Sequence, residues 1–102
     1  MMAAPVFLGE EVSAAGWRLA GVRTIVPAPD EPPAALAATL AAARAGASLV
    51  LVAAEVAARI PEADMRVAQA ALSPLTVIVP DLTGTAVPDV AARLRHQLGL
   101  EG

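Results

Sequence analysis

The sequence predicts a small α/β domain of the doubly wound kind, with a four-stranded parallel sheet, flanking helices and a C-terminal helix. Two observations predict this fold. First, the chain contains short, continuously apolar runs, which are typical of strands covered on both faces. Second, these runs alternate with helical patterns about four times along the chain. This alternation favours parallel strands joined by right-handed crossovers. The length of 102 residues fits a single domain with a modest hydrophobic core.

The first strand–helix–strand unit occupies the N-terminal part of the chain. Residues 6–8, an apolar run that ends at Gly9, form a strand. Residues 10–19 form a helix whose first turn is acidic, as the helix dipole favours, and Gly21 terminates it. Residues 22–26 are rich in β-branched side chains and form the second strand.

The middle of the chain predicts a loop, a longer helix and a third strand. The proline-rich residues 27–32 are a loop, because proline restricts both its own backbone and that of the residue before it. A helix follows over residues 33–45, with Asp30 or a neighbour as its cap and Gly46 at its end. Residues 47–53 are continuously apolar and form a strand buried on both faces.

The remainder predicts two more helical segments around a fourth strand. Residues 54–72 show helical spacing that Pro61 interrupts, because proline lacks the N–H that a helix interior needs. The apolar stripe after Pro61 consists of Met65, Ala68 and Leu72. Residues 75–79 form the strand, and a loop over residues 81–87 leads to a last helix from Pro88. The apolar stripe of that helix consists of Val90, Leu94 and Leu98.

Composition and charge exclude several classes of protein. The longest charge-free stretch, residues 67–80, is shorter than the roughly 18 apolar residues of a membrane-spanning helix. We therefore expect a cytoplasmic protein that does not insert into a membrane. The chain has no cysteine, which excludes disulfides and thiolate chemistry. A net charge of −3, with no basic cluster beyond residues 93–96, argues against nucleic-acid binding.

The sequence offers no constellation of catalytic, cofactor-binding or metal-ligating residues, and we expect none. Phosphorylation of the receiver type needs a lysine, and the chain has no lysine. A phosphate cradle needs hydrogen-bond donors at a helix start, where this chain places the carboxylates of Glu10 and Glu11. His96 is the only histidine, so a metal site lacks ligands.

The stretch GWRLAGV, residues 16–22, resembles the glycine–aromatic–arginine–leucine–alanine–glycine–valine motif of the F subunit of the rotary V-type (archaeal and vacuolar) ATPases. Gly9 stands seven residues before Gly16, as the first-strand glycine of that family does. The similarity continues through LVLVAAEVAARIPE, PLTVIVPD and the terminal ARLRHQLGLEG, and it covers roughly residues 6–100. The chain departs from the family at residues 10–12, where an aspartate and a Thr-Val pair are usual.

The resemblance implies a non-catalytic central-stalk subunit of an ion-translocating rotary ATPase or ATP synthase. Such a subunit binds the coiled-coil stalk subunit, meets the catalytic headpiece and helps couple ATP turnover to rotation and ion transport. It lies in the cytoplasm, peripheral to the membrane, and needs no cofactor. Two other interpretations remain open: a receiver-like signalling adaptor without a phosphorylation site, and a small-molecule binding module of the flavodoxin type.

We expect two parts, a core domain over residues 1–87 and a C-terminal helical arm over residues 88–102. The candidate partner-interface residues are Arg18, Arg93, Leu94, Arg95 and Leu98. Arg18 is explained equally well as a satisfied surface residue or as a partner contact. The stripe of the last helix packs either on the sheet or on a neighbouring subunit. In the opening motif, we expect Gly16 to let the first helix approach a neighbour closely and Trp17 to serve as a large anchor.

Overall fold

The fold is that of a computed structural model, which describes residues 4–80 of the chain. This part contains four strands and four helices in the predicted order. They are β1 (Val6–Leu8), α1 (Glu11–Leu19), β2 (Arg23–Ile25), α2 (Pro33–Ala45), β3 (Leu49–Ala53), α3 (Ala54–Arg59), α4 (Glu62–Ala70) and β4 (Leu75–Val79). Pro61 separates α3 from α4, as the sequence predicts. The predicted loop over residues 81–87 and the predicted helix from Pro88 lie outside the described residues.

The four strands form one parallel sheet in the order β2-β1-β3-β4. Because β1 pairs with β2 on one side and with β3 on the other, the strand order reverses at β1, as it does in doubly wound folds. Phe7 lies opposite Thr24 of β2 and Leu51 of β3, and Leu51 lies opposite Val77 of β4. These four side chains therefore share one face of the sheet. The predicted fold class is confirmed.

Helices cover both faces of this sheet. On one face α1 packs over β1 and β2, and the Trp17 ring stacks on the Phe7 ring with centroids 5.7 Å apart. On the other face α2 contacts α3 and α4, and the Arg44 Nε of α2 donates to the Thr76 hydroxyl of β4 at 3.0 Å. Thr76 precedes Val77 by one residue, so the two side chains point to opposite faces. Trp17 is the aromatic anchor that the sequence predicts.

The core consists of apolar side chains from β1, β3, the end of β4 and the helices that cover the sheet. The largest fully buried side chains are Phe7, Leu8, Leu36, Leu51, Val6, Val50, Val52, Val56 and Val79. Strand β1 and most of β3 are buried on both faces, which explains why their sequences are continuously apolar. The Trp17 indole N–H is also buried, and it has no acceptor among residues 4–80.

The C-terminal end of α1 forms a Schellman motif. Gly21 has a φ of +88°, in the left-handed region that favours glycine. Its N–H donates to the Arg18 carbonyl at 3.0 Å, and the Val22 N–H donates to the Trp17 carbonyl at 3.0 Å. These two bonds are the pair that defines the motif. The prediction that Gly21 terminates the first helix is confirmed.

Helix α2 begins at Pro33 as predicted, but it has no side-chain cap. Asp30 does not cap this helix, because the N-cap residue is Pro32 and makes no side-chain hydrogen bond. The first helical residue, Pro33, has no N–H to satisfy, and the Leu36 N–H donates to the Pro32 carbonyl at 3.1 Å. The need for a side-chain cap is therefore small at a helix that begins with proline.

Helix α4 ends earlier than its apolar spacing indicates. Its last residue is Ala70, and Ala71 is already extended, with φ −77° and ψ 137°. Leu72 therefore lies outside the helix and is 85% exposed. The buried stripe of α4 consists of Met65 and Ala68 alone. The prediction that Leu72 belongs to this stripe is wrong.

Among residues 4–80, a close approach is found at Gly9 and not at Gly16, where it was predicted. A Cβ atom at Gly16 would meet no heavy atom of the described residues within 4 Å. A Cβ atom at Gly9 would lie 2.7 Å from Cε2 of Phe7 and 2.8 Å from the Cβ of Ala53. Gly9 therefore lets the Phe7 ring and the Ala53 methyl group pack against the backbone that follows β1, and a larger residue would displace them.

Gly9→Ala is expected to lower the free energy of unfolding by about 1–3 kcal/mol, because the added methyl group overlaps Phe7 and Ala53. Gly16→Ala is the matched control, since it adds the same methyl group inside a helix where no heavy atom of residues 4–80 lies within 4 Å. This control should raise the free energy of unfolding by about 0.5–1 kcal/mol. Urea denaturation measures both values. A Gly9→Ala variant as stable as the wild type would contradict the close approach.

Candidate functional site

A groove opens at the edge of the sheet where the parallel strands end. It lies beyond the carboxyl ends of β1, β2 and β3 and has a volume of about 220 Å³. It is lined by Gly9, Glu10, Glu11, Val26, Pro27, Pro29, Glu55, Val56 and Arg59. Doubly wound domains bind their ligands at this edge, near the point where the strand order reverses. The groove is therefore the candidate functional site.

Glu10 stands at the start of α1 and caps it. Its carboxylate accepts hydrogen bonds from the Val12 N–H at 2.7 Å, from the Ser13 N–H at 3.0 Å and from the Ser13 hydroxyl. The free N–H groups of a helix N-terminus are the donors that bind phosphate in many doubly wound proteins. Here the protein's own carboxylate takes these donors, and its charge repels a second anion.

Glu10 has a pKa below its usual value of 4.5. Partial burial, the largest single influence, raises the pKa, but the hydrogen bonds from the Ser13 hydroxyl, the Ser13 N–H and the Val12 N–H together lower it by more. The carboxylate is therefore ionised at neutral pH. It lies at the positive end of the α1 dipole, where a negative charge is stabilising.

Arg59, at the end of α3, holds the loop after β2, which contributes Pro27 and Pro29 to the groove lining. Its Nη2 donates to the carbonyl oxygens of Ala28 at 3.3 Å, Pro29 at 2.8 Å and Glu31 at 3.2 Å. Its Nη1 donates to Oε1 of Glu55 at 3.2 Å, one helical turn earlier. The guanidinium thus joins α3 to the loop between β2 and α2.

Arg18 joins α1 to the edge strand β2. Its Nε and Nη2 donate to the Thr24 hydroxyl at 3.1 and 2.9 Å, and its Nη1 forms an ion pair with Oε1 of Glu11 at 3.2 Å. The side chain is 52% exposed, so it has partners within the chain and remains accessible from outside. Its role as a partner contact stays a prediction. Arg93, Leu94, Arg95 and Leu98 lie outside the described residues.

Arg59 lines the groove, but the sequence did not identify it as a candidate residue. The Glu55–Arg59 spacing of four residues was visible and indicates an ion pair on a helix. The contacts of Arg59 with three carbonyl groups were not predictable, because those groups precede it by 28 to 31 residues. Within residues 4–80, no three histidine, cysteine, aspartate or glutamate side chains are grouped so that they could hold a metal ion.

The fold and this groove define a small doubly wound α/β domain whose ligand-binding edge is held by its own charged side chains. Residues 6–97 match the protein family described as ATP synthase (F/14-kDa) subunit. The match spans most of the chain, and the chain therefore belongs to this family, which makes it an accessory subunit of a rotary ATPase. The resemblance to the F subunit is confirmed. A search of curated proteins found no match.

In the described part of the chain, every helix is too short or too polar to cross a membrane.

Glu10→Gln is expected to lower the free energy of unfolding at pH 7 by about 1 kcal/mol, because α1 loses its charged cap. The pKa of Glu10 is lower in the folded chain than in the unfolded chain. Its contribution to stability is therefore complete above the unfolded value of 4.5 and is lost as the pH falls through the folded value. Urea denaturation from neutral pH to about pH 3 should show the two proteins converging in acid.

Glu62→Gln is the matched control for this experiment. Glu62 lies in the first turn of α4 without serving as its cap, and it pairs with Arg66 in an exposed position. Its replacement should change the stability little at any pH. Equal losses in the two variants, or a deficit of Glu10→Gln that persists unchanged in acid, would show that the Glu10 charge does not stabilise α1.

Proposed function

We propose that the protein is the F subunit, a non-catalytic central-stalk component, of a V-type ion-translocating ATPase or ATP synthase. It binds the coiled-coil stalk subunit, rotates with it and helps couple ATP turnover to rotation and ion transport. It meets the catalytic headpiece and lies in the cytoplasm, peripheral to the membrane as part of the complex. The observation that carries this proposal is the family match over residues 6–97.

The geometry of the groove supports a binding role rather than a catalytic one. Glu10 takes the N–H groups at the start of α1 that would otherwise bind a phosphate. Arg59 uses its guanidinium on loop carbonyls and on Glu55. These groups therefore stabilise the local structure, and the chemistry of ATP turnover falls to other subunits. A receiver-like adaptor would share the fold, but the family match favours the stalk subunit.

Co-expression with the coiled-coil stalk subunit of the same ATPase tests the proposal. The two chains should elute together in gel filtration, at a volume smaller than that of either chain alone. The headpiece subunits that bind nucleotide, expressed without the stalk subunit, serve as the comparison and should retain the chain less well. Separate elution of the chain and the stalk subunit at micromolar concentration would contradict the proposed function.

We further propose that the core domain, residues 1–87, and the C-terminal arm, residues 88–102, have separate tasks. Arg93, Leu94, Arg95 and Leu98 of the arm are then contacts with the complex, as the family resemblance implies. The apolar stripe of the arm must pack on some surface, and a neighbouring subunit provides one. The glycine and small side chains of residues 81–87 suit a hinge between the two parts.

Truncation after Val87 is expected to leave the melting temperature of the isolated chain close to that of the full chain. In the reconstituted complex the same truncation should change the ATPase rate or its coupling to rotation. Truncation after Leu98 is the matched control, because it shortens the chain but keeps the whole stripe. If the arm instead covers the sheet, its loss should cost roughly 1.5–3 kcal/mol for each large side chain exposed and prevent folding. That result, or unchanged turnover and coupling, would contradict separate tasks.

A further inference from the structure

We propose that the groove beyond the carboxyl ends of β1 and β2 receives a basic side chain, lysine or arginine, from the coiled-coil stalk subunit. This inference rests on the proposed function and names the chemistry of one contact within it. The occupant follows from three properties of the groove: its apolar floor, its acidic rim and the spacing of its carboxylates.

The floor of the groove is apolar. Val26, Pro27 and Pro29 come from the end of β2 and the loop after it, and Val56 comes from α3. Val26 is 40% exposed, so its apolar side chain is accessible from the groove. The hydrocarbon stem of a lysine or arginine packs on such a surface while its charged head reaches a polar rim.

The rim of the groove is acidic. Among the described residues, the carboxylates of Glu10, Glu11 and Glu55 line the groove with the guanidinium of Arg59, and Arg18 pairs with Glu11 from outside the lining, so the carboxylates still outnumber the guanidinium groups. Glu11 and Glu55 each accept one hydrogen bond, at Oε1, and within residues 4–80 the Oε2 atom of each accepts none. A carboxylate can accept several hydrogen bonds, so both retain acceptor capacity that faces the solvent. This charge complements a cationic head group.

The spacing of the carboxylates decides between a metal cation and a basic side chain. The described acidic side chains do not come together closely enough to hold a metal ion. A phosphate or another small anion is disfavoured, because the Glu10 carboxylate already occupies the donors at the start of α1. Separated acceptors around an apolar floor suit a long side chain with several donors, three for lysine and five for arginine.

Glu55→Gln tests the inference, with Glu62→Gln as its matched control. Both substitutions remove one charge from an ion pair between residues four apart on a helix, at 3.2 Å for Glu55–Arg59 and 3.3 Å for Glu62–Arg66. Of Glu55 and Glu62, only Glu55 lines the groove. We expect Glu55→Gln to weaken binding of the stalk subunit about tenfold at low salt, and Glu11→Gln to act in the same direction. The loss should shrink at high salt, and Glu62→Gln should bind as the wild type does.

A second pair of variants tests the apolar floor. Val26→Thr places a hydroxyl in the groove with little change in volume, and Val67→Thr makes the same change at an exposed position of α4. We expect only Val26→Thr to weaken binding of the stalk subunit. The melting temperature of each isolated variant, measured in parallel, shows whether a loss of binding follows from a loss of folding.

The outcomes separate the two proposals. A wild-type chain that does not bind the stalk subunit overturns the proposed function, and this inference falls with it. A wild-type chain that binds, together with a Glu55→Gln variant that binds as tightly as Glu62→Gln, overturns the groove contact alone. A Glu55→Gln variant whose melting temperature falls only when residues 88–102 are present would assign the groove to the chain's own arginines, which also overturns it. Rescue of Glu55→Gln by neutralising one basic residue of the stalk subunit supports the contact.

Discussion

Strand β1 is hydrogen-bonded to strands on both sides and covered by helices on both faces, and the rest of the structure depends on it. Its side chains, Val6–Leu8, are at most 1% exposed, so each must be apolar and must fit its neighbours. Phe7 positions α1 through the Trp17 ring and leaves no room for a side chain at Gly9. Glu10, two residues after the strand ends, then caps the start of α1. Residues 6–10 thus determine the centre of the sheet, the position of the first helix and part of the groove lining.

The same constraint explains how much of the fold could be predicted. A strand buried on both faces must be continuously apolar, and this pattern is visible without a structure. The left-handed turn at Gly21 was predictable because few other residues adopt that backbone conformation. The prediction that Asp30 caps α2 was wrong, because a helix that begins with proline has fewer free N–H groups that need a cap. The assignment of Leu72 to the buried stripe of α4 was wrong because the apolar spacing continues past Ala70, where the helix ends.

Less of the groove could be predicted than of the sheet. The carboxylates of Glu10 and Glu11 were expected at the strand end, since they follow Gly9 in the sequence. Their geometry was not, because a glutamate cap depends on the side chain folding back onto the first turn. The contacts of Arg59 depend on the path of a loop that precedes it by about thirty residues. Local pattern predicts elements, whereas contacts between distant segments require the tertiary structure.

The groove also shows how a ligand-binding fold can serve as an accessory subunit. In a doubly wound domain the carboxyl edge of the sheet holds free helix donors and loop residues, which other proteins use for phosphates. Here Glu10 bonds to the helix donors and Arg59 bonds to the loop carbonyls, so the edge is stabilised by charged groups from within the chain. Such an edge repels anions, yet it still presents an apolar floor and unused carboxylate oxygens. If the groove binds the stalk subunit as proposed, the carboxylates at this edge favour a cationic protein surface over a nucleotide.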